Sequence, residues 1–134
     1  MDYVALRKSH IKFKKDTQIL KSKDFENLQK KTEKKHEKWF FSGCKHITER
    51  HYTEAIKHLQ LSNTKDALLL SVLTSLKIMD EFLLTQYIEE LKEDKRNLQI
   101  LNKYNITIIF SYKNKDINID EKSIYPLVSS ILNR

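Results

Sequence analysis

Six side chains in this chain could carry catalysis or hold a metal: His10, His36, His46, His51, His58 and Cys44. Structural or catalytic zinc needs three or four converging ligands. His46, His51 and His58 fall close together, but none forms HxxxH or HExxH, and Cys44 has no second cysteine beside it. A lone cysteine on a helix is most often a small core residue, and a nucleophile needs an adjacent base that this pattern does not supply. The acidic pairs Glu89-Glu90 and Glu93-Asp94 read as a solvated helix face. With one glycine in 134 residues, no glycine-rich phosphate loop exists. The residues point away from an enzyme, and no metal or cofactor is expected.

One run could do chemistry of a simpler kind. Lys30, Lys31, Lys34, Lys35 and Lys38 stand at helical spacing, so that on one helix they form a cationic stripe able to meet phosphates. Residues 1–45 hold 13 Lys/Arg against 6 Asp/Glu, whereas residues 46–134 balance. The whole net charge of +7 therefore lies in the N-terminal third. An electrostatic partner would be met there. Glu26, Glu33 and Glu37 interrupt the stripe, and no aromatic or arginine residue is interleaved with it.

These residues must be positioned mainly by helices. One Gly and one Pro leave little of the turn punctuation of an all-β chain. Residues 4–20 are expected to form a helix, although their apolar spacing suits neither period well. Residues 23–36 are polar helix formers, and a helix polar all round is a solvated spacer. Residues 37–49 and 52–62 predict two helices with a short break at Arg50-His51, which makes them antiparallel neighbours. A third helix spans 65–78, where Leu68, Leu69, Val72, Leu73 and Leu76 form a wide apolar face. A fourth runs from about Glu81 to Lys103, with a break near Asp94. Residues 106–112 are β-branched and aromatic and predict a strand. Residues 116–120 alternate and predict a second, and Pro126 suits the first turn of a terminal helix over 126–133. The organisation expected is a basic helical segment (1–36), a helical domain (37–104) and a β-hairpin with a short helix (105–134). A lone hairpin is marginal in water. It must lie on the helices or pair with another chain, for which residues 106–112 offer an edge.

Within 39–67, Trp39-x2-Ser42-Gly43-x2-His46 is followed by Ala55-x3-Leu59. This spacing resembles one tetratricopeptide repeat, a helix–turn–helix of about 34 residues patterned W-x2-L-G-x2-Y…A-x3-F…P. Trp39, Gly43 and Ala55 match in register; Ser42, His46 and Ala67 depart from the pattern. Gly43 within a helix costs about 1 kcal/mol relative to Ala, which implies close approach of the facing helix. Ala55 is small for the same reason, and Trp39 and Leu59 are expected to fill the space around the contact. A second repeat is at best degenerate.

The resemblance implies a mainly α fold of antiparallel hairpins and a binding scaffold whose first helices line a groove. The groove residues would be Phe40, Cys44, Ile47, Ser71 and Thr74, an apolar face suited to a hydrophobic helix or extended segment; the alternative is that Phe40 and Ile47 pack under the chain's own N-terminal helices. The implied function is a non-catalytic protein–protein interaction module, an adaptor or small chaperone, with another protein as partner in a hetero- or homo-oligomer. Nucleic acid bound by the basic third is the alternative. One cysteine, no visible signal peptide and no apolar stretch long enough for a bilayer set the expectation of a cytoplasmic protein without a transmembrane segment.

Overall fold

The computed structural model describes residues 1–133. In chain order they form α1 (Tyr3–Arg7), β1 (His10–Lys15), β2 (Gln18–Ile19), α2 (Ser22–Lys31), α3 (Lys35–Thr48), α4 (Tyr52–Ser62), α5 (Lys65–Lys77), α6 (Glu81–Glu93), α7 (Gln99–Tyr104), β3 (Ile106–Tyr112), β4 (Lys115–Ile119) and α8 (Ile124–Leu132). The fold is mainly α with a small antiparallel sheet, as the residue patterns predict.

The four central helices form two antiparallel hairpins, α3–α4 and α5–α6, closed by the same device. Arg50 and Met79 take left-handed φ of 63° and 59°. At the first turn the His51 amide donates to His46 O and the Arg50 amide to Ile47 O; at the second, Asp80 donates to Ser75 O and Met79 to Leu76 O. Both are Schellman turns, in which orphan carbonyls of the last helical turn find donors. The two turns lie 29 residues apart, short of the roughly 34 of a tetratricopeptide array.

Gly43 marks the close contact inside the first hairpin. A Cβ placed on it would lie 2.6 Å from Leu59 Cδ2, 2.8 Å from Leu59 Cγ and 3.5 Å from the Ala55 carbonyl oxygen. Ala55 and Leu59 are buried as expected, but Trp39 is not a core residue. It is half-buried on the hairpin's flank, its ring 5.3 Å from that of His58. Phe40 and Phe41, both fully buried, fill the interior instead.

The N-terminal segment departs from the helix expected over 4–20. Only Tyr3–Arg7 is helical; His10–Lys15 is a strand, paired antiparallel to β3 with Ile11 opposite Phe110 and Phe13 opposite Ile108. Ile11 and Phe13 alternate with His10, Lys12 and Lys14, so one face enters the core while the lysine stems cover the other. The sheet order is β2-β1-β3-β4. β3 is therefore an interior strand rather than a free edge, and its β1 partner comes from this same chain. The first and last segments of the sequence share one sheet, and a single apolar cluster runs from Leu6 to Ile131.

A second break divides the polar stretch 23–36. Helix α2 ends at Lys31 and Thr32 is extended, with φ −84° and ψ 145°. The Thr32 hydroxyl donates to Glu37 Oε1 at 2.6 Å and accepts from the Lys34 amide at 3.3 Å. Glu37 is 2 % exposed and also accepts from Lys103 Nζ at 2.9 Å and Tyr104 Oη at 2.5 Å. Burial pushes this carboxyl up, but the hydrogen bonds from Thr32, Tyr104 and Lys103 outweigh it and hold it at about 2. The α2–α3 corner is thereby tied to α7. An aromatic chain continues the tie: Phe13–Phe25 at 4.9 Å, Phe25–Phe41 at 6.4 Å and Phe41–Tyr104 at 5.0 Å.

Helix α5 is enclosed on nearly every side. Even Lys65 and Asp66 are buried. Asp66 accepts from the amides of Gln99 (3.0 Å) and Leu101 (2.8 Å), filling the N-terminal donors of α7. Among the described residues, no helix is long and apolar enough to cross a membrane.

Candidate functional site

The face expected to line a groove is closed. Phe40, Cys44 and Thr74 are 0 % exposed, and Ile47 and Ser71 are 2 % exposed. α1, β1 and α7 all pack on α5, and β1 also packs on α3, so the chain's own sheet and flanking helices occupy that side. The Thr74 hydroxyl donates to Leu70 O at 2.7 Å, a local bond that needs no partner. Burial pushes the Cys44 thiol well above its ordinary range, helped by the Asp66 charge, so it is an inert thiol in this fold. The groove assignment drawn from the repeat resemblance is corrected accordingly.

A cleft of about 160 Å³ opens between α4 and α6. Its lining includes Ala67, Leu68 and Ser71 of α5, Gln60 of α4, and Gln86, Tyr87 and Glu90 of α6. Ala67 and Ser71 stand one helical turn apart, and two small residues in succession leave a trough where larger ones would fill it. The Gln60 amide donates to Tyr87 Oη at 2.5 Å, bridging the two walls. Burial raises the Tyr87 phenol, the Gln60 bond working against it, so the ring keeps its proton and its donor capacity. Glu90 is exposed on the rim and makes no ion pair among the described residues. Of the expected contact residues, Ser71 alone lines this cleft, from below. The i, i+4 pair of small residues was the sequence signal for it, hidden inside an otherwise leucine-rich helix.

The five lysines do not form one stripe. Lys30 and Lys31 end α2, whereas Lys34, Lys35 and Lys38 begin α3, and the Thr32 break lies between them. They crowd a corner instead. All five are exposed, and none takes part in an ion pair among the described residues. Lys34 and Lys35 stand at the N-terminus of α3, where the helix dipole disfavours cations.

The α3–α4 turn gathers polar groups that linear spacing hides. Ser42 Oγ and His58 Nδ1 are 2.6 Å apart. The rings of His46 and His58 meet edge to face at 4.6 Å, and those of His46 and His51 lie 5.9 Å apart. Burial lowers His58, and the neighbouring His46 adds to the shift. The left-handed Arg50 folds His51 back toward the last turn of α3. One ligand atom from each of His46, Glu49 and His51 then lies within 4.8 Å of the others.

No family model matches this chain, and no curated protein or solved structure resembles it at a significant level.

Proposed function

We propose that this protein is a non-catalytic interaction module, an adaptor or small chaperone that holds another protein in the α4–α6 cleft. The observation that carries the reading is the trough itself, a largely polar cleft in which Ala67 and Leu68 lie beside Ser71, with Gln60, Gln86 and Glu90 around them. Such a cleft accepts one projecting side chain of a partner segment, and its rim carboxylate favours a polar or basic neighbour. Leu61 (57 % exposed) and Phe82 (80 % exposed) present further apolar area on the same two helices. The tetratricopeptide comparison supports a hairpin scaffold through Trp39, Gly43, Ala55 and Leu59, with the partner surface moved to the α4–α6 cleft. A cytoplasmic setting belongs to the same reading, since the one thiol is free and buried.

The test is a photoactivatable cross-linker at position 86 in cells of the native host. The reading expects a discrete adduct with another polypeptide, or with a second copy of this chain. The adduct disappears when Glu90→Arg is added and persists in Lys30→Glu/Lys34→Glu. A chain that yields no adduct contradicts the reading.

A second reading, nucleic acid bound by the α2–α3 corner, is favoured by the five unpaired lysines. Its affinity falls steeply as salt rises, each neutralised phosphate adding about 0.7–0.9 to the logarithmic slope. Reversing Lys30, Lys34 and Lys38 abolishes retention on an anionic matrix under this reading; unchanged retention removes it.

A further inference from the structure

We propose that the α3–α4 turn is a binding site for a divalent transition cation of the zinc class, held by His46, Glu49 and His51. The three ligand-bearing side chains come from the last turn of α3, its C-terminal cap and the N-terminal cap of α4. Two imidazoles and one carboxylate are a ligand set that suits zinc, with a fourth position left for water.

Three features of the turn argue for a site rather than a chance crowd. First, the turn is fixed. The Schellman bonds from Arg50 and His51 lock the backbone between the ligands, so the cation meets a prearranged framework. Second, the Glu49 carboxylate is oriented from behind. Its Oε2 accepts from Ser22 Oγ at 2.5 Å and lies 3.6 Å from Lys45 Nζ, while its Oε1 faces His51 Nδ1 at 3.8 Å. That last distance is too long for a hydrogen bond. It is close to the span of two ligand atoms each about 2.0–2.2 Å from one ion. Ser22 and Lys45 thus act as orienting partners that leave one oxygen for the cation. Third, His46 Nδ1 is buried and has no hydrogen-bond partner. An unpartnered buried nitrogen is costly unless something occupies its lone pair or the ring turns to present it. The three ligand atoms lie within 4.8 Å of one another, and His51 is exposed, so its ring has solvent beside it in which to turn toward an ion.

The site shares no residue with the α4–α6 cleft and does not depend on the function proposed for it. Chelator-treated chain is titrated with Co²⁺, followed by its visible absorption, and with Zn²⁺ by calorimetry. Saturable binding of one ion per chain is expected. His51→Ala and Glu49→Ala each weaken it by more than about tenfold, and His36→Ala leaves it unchanged. Ser22→Ala, a positioning change, weakens it by about tenfold, and Ser22→Thr restores it. Zn²⁺ also raises the melting temperature of the native chain but not of His51→Ala, because only the native fold presents all three ligands. Absence of one-to-one binding, or binding that survives both His51→Ala and Glu49→Ala, overturns the proposal.

Discussion

Helices α5 and α6 belong to one hairpin and meet opposite fates. α5 is covered on almost every side: α3, α4, α6, α1, β1 and α7 all pack against it. α6 buries a single stripe of Leu84, Tyr87, Ile88 and Leu91 and leaves Phe82, Gln86, Glu89 and Glu90 in solvent. Two helices of the same length thus differ because only one of them has a sheet laid over it. The lesson is physical: an apolar helix face that looks like a docking groove is a groove only if nothing else in the chain covers it.

That comparison can be broken by removing the cover. Phe13 is fully buried and packs edge-on against Phe25. Phe13→Ala is expected to destabilise the chain by about 3–5 kcal/mol, read by chemical denaturation, whereas Gln86→Ala on the open side changes stability by less than about 0.5 kcal/mol. Ile108→Pro acts on the same seam. Because β3 bonds to strands on both sides, proline there disrupts the internal sheet and destabilises the whole domain, rather than merely preventing association.

The tie between the α2–α3 corner and α7 gives the next effect. Glu37 is held at about 2, below its ordinary value of 4.5. A depressed carboxylate contributes stability that is present above its unfolded value and lost as pH falls through its folded value. The chain therefore loses stability between about pH 4.5 and pH 2. Glu37→Gln is expected to cost about 2 kcal/mol at neutral pH and to flatten that acid limb in a pH series of thermal melts.

Gly43→Ala sets two smaller effects against each other. Helix propensity gains about 1 kcal/mol, but the added methyl strikes Leu59 Cδ2 and Cγ, in a side chain that is 1 % exposed. Overpacking costs about 1–3 kcal/mol, so the net expectation is a destabilisation of about 1 kcal/mol. Paired with Leu59→Ala, the same substitution recovers part of its cost, which a double-mutant cycle reads directly.

The smallest effect has the opposite sign. Lys34→Glu replaces a cation at the α3 N-terminus with an anion and is expected to stabilise the chain by about 0.3–1 kcal/mol. If the lysine corner binds nucleic acid, the same change lowers that affinity, separating stability from function in one variant.

The hairpins were legible in the residue pattern because their signals are long and local. Helix α4 begins at Tyr52 and α5 at Lys65, as the apolar spacing and the polar breaks imply, and β3 follows its run of β-branched residues. Strand β1 was not legible. It has six residues, and its alternation of Ile11 and Phe13 with lysines is lost among the irregular apolar spacing of the residues on either side. Its turn to β2 carries no glycine: Asp16 holds the left-handed position at φ 55°, and Lys113 and Asn114 do the same between β3 and β4 at 51° and 63°. Glycine scarcity thus argued against strands that asparagine, aspartate and lysine turns in fact support. Missing β1 concealed the cover over α5, and with it the fate of Phe40, Cys44, Ile47 and Thr74. The turn cluster of His46, Glu49 and His51 was hidden for a related reason. Its ligands converge through a left-handed Arg50, not through a helical repeat.

Cys44 is the one thiol of the chain and lies on the face whose closure is at issue, with no exposed area. Its reaction with a thiol-specific reagent under native conditions tests that closure most directly. If the sheet covers the inner face, labelling of the native chain is silent and appears only with unfolding in denaturant; Phe13→Ala accelerates it. Rapid stoichiometric labelling of the native chain, at the rate of an exposed thiol, would contradict the account and return the groove to the inner face.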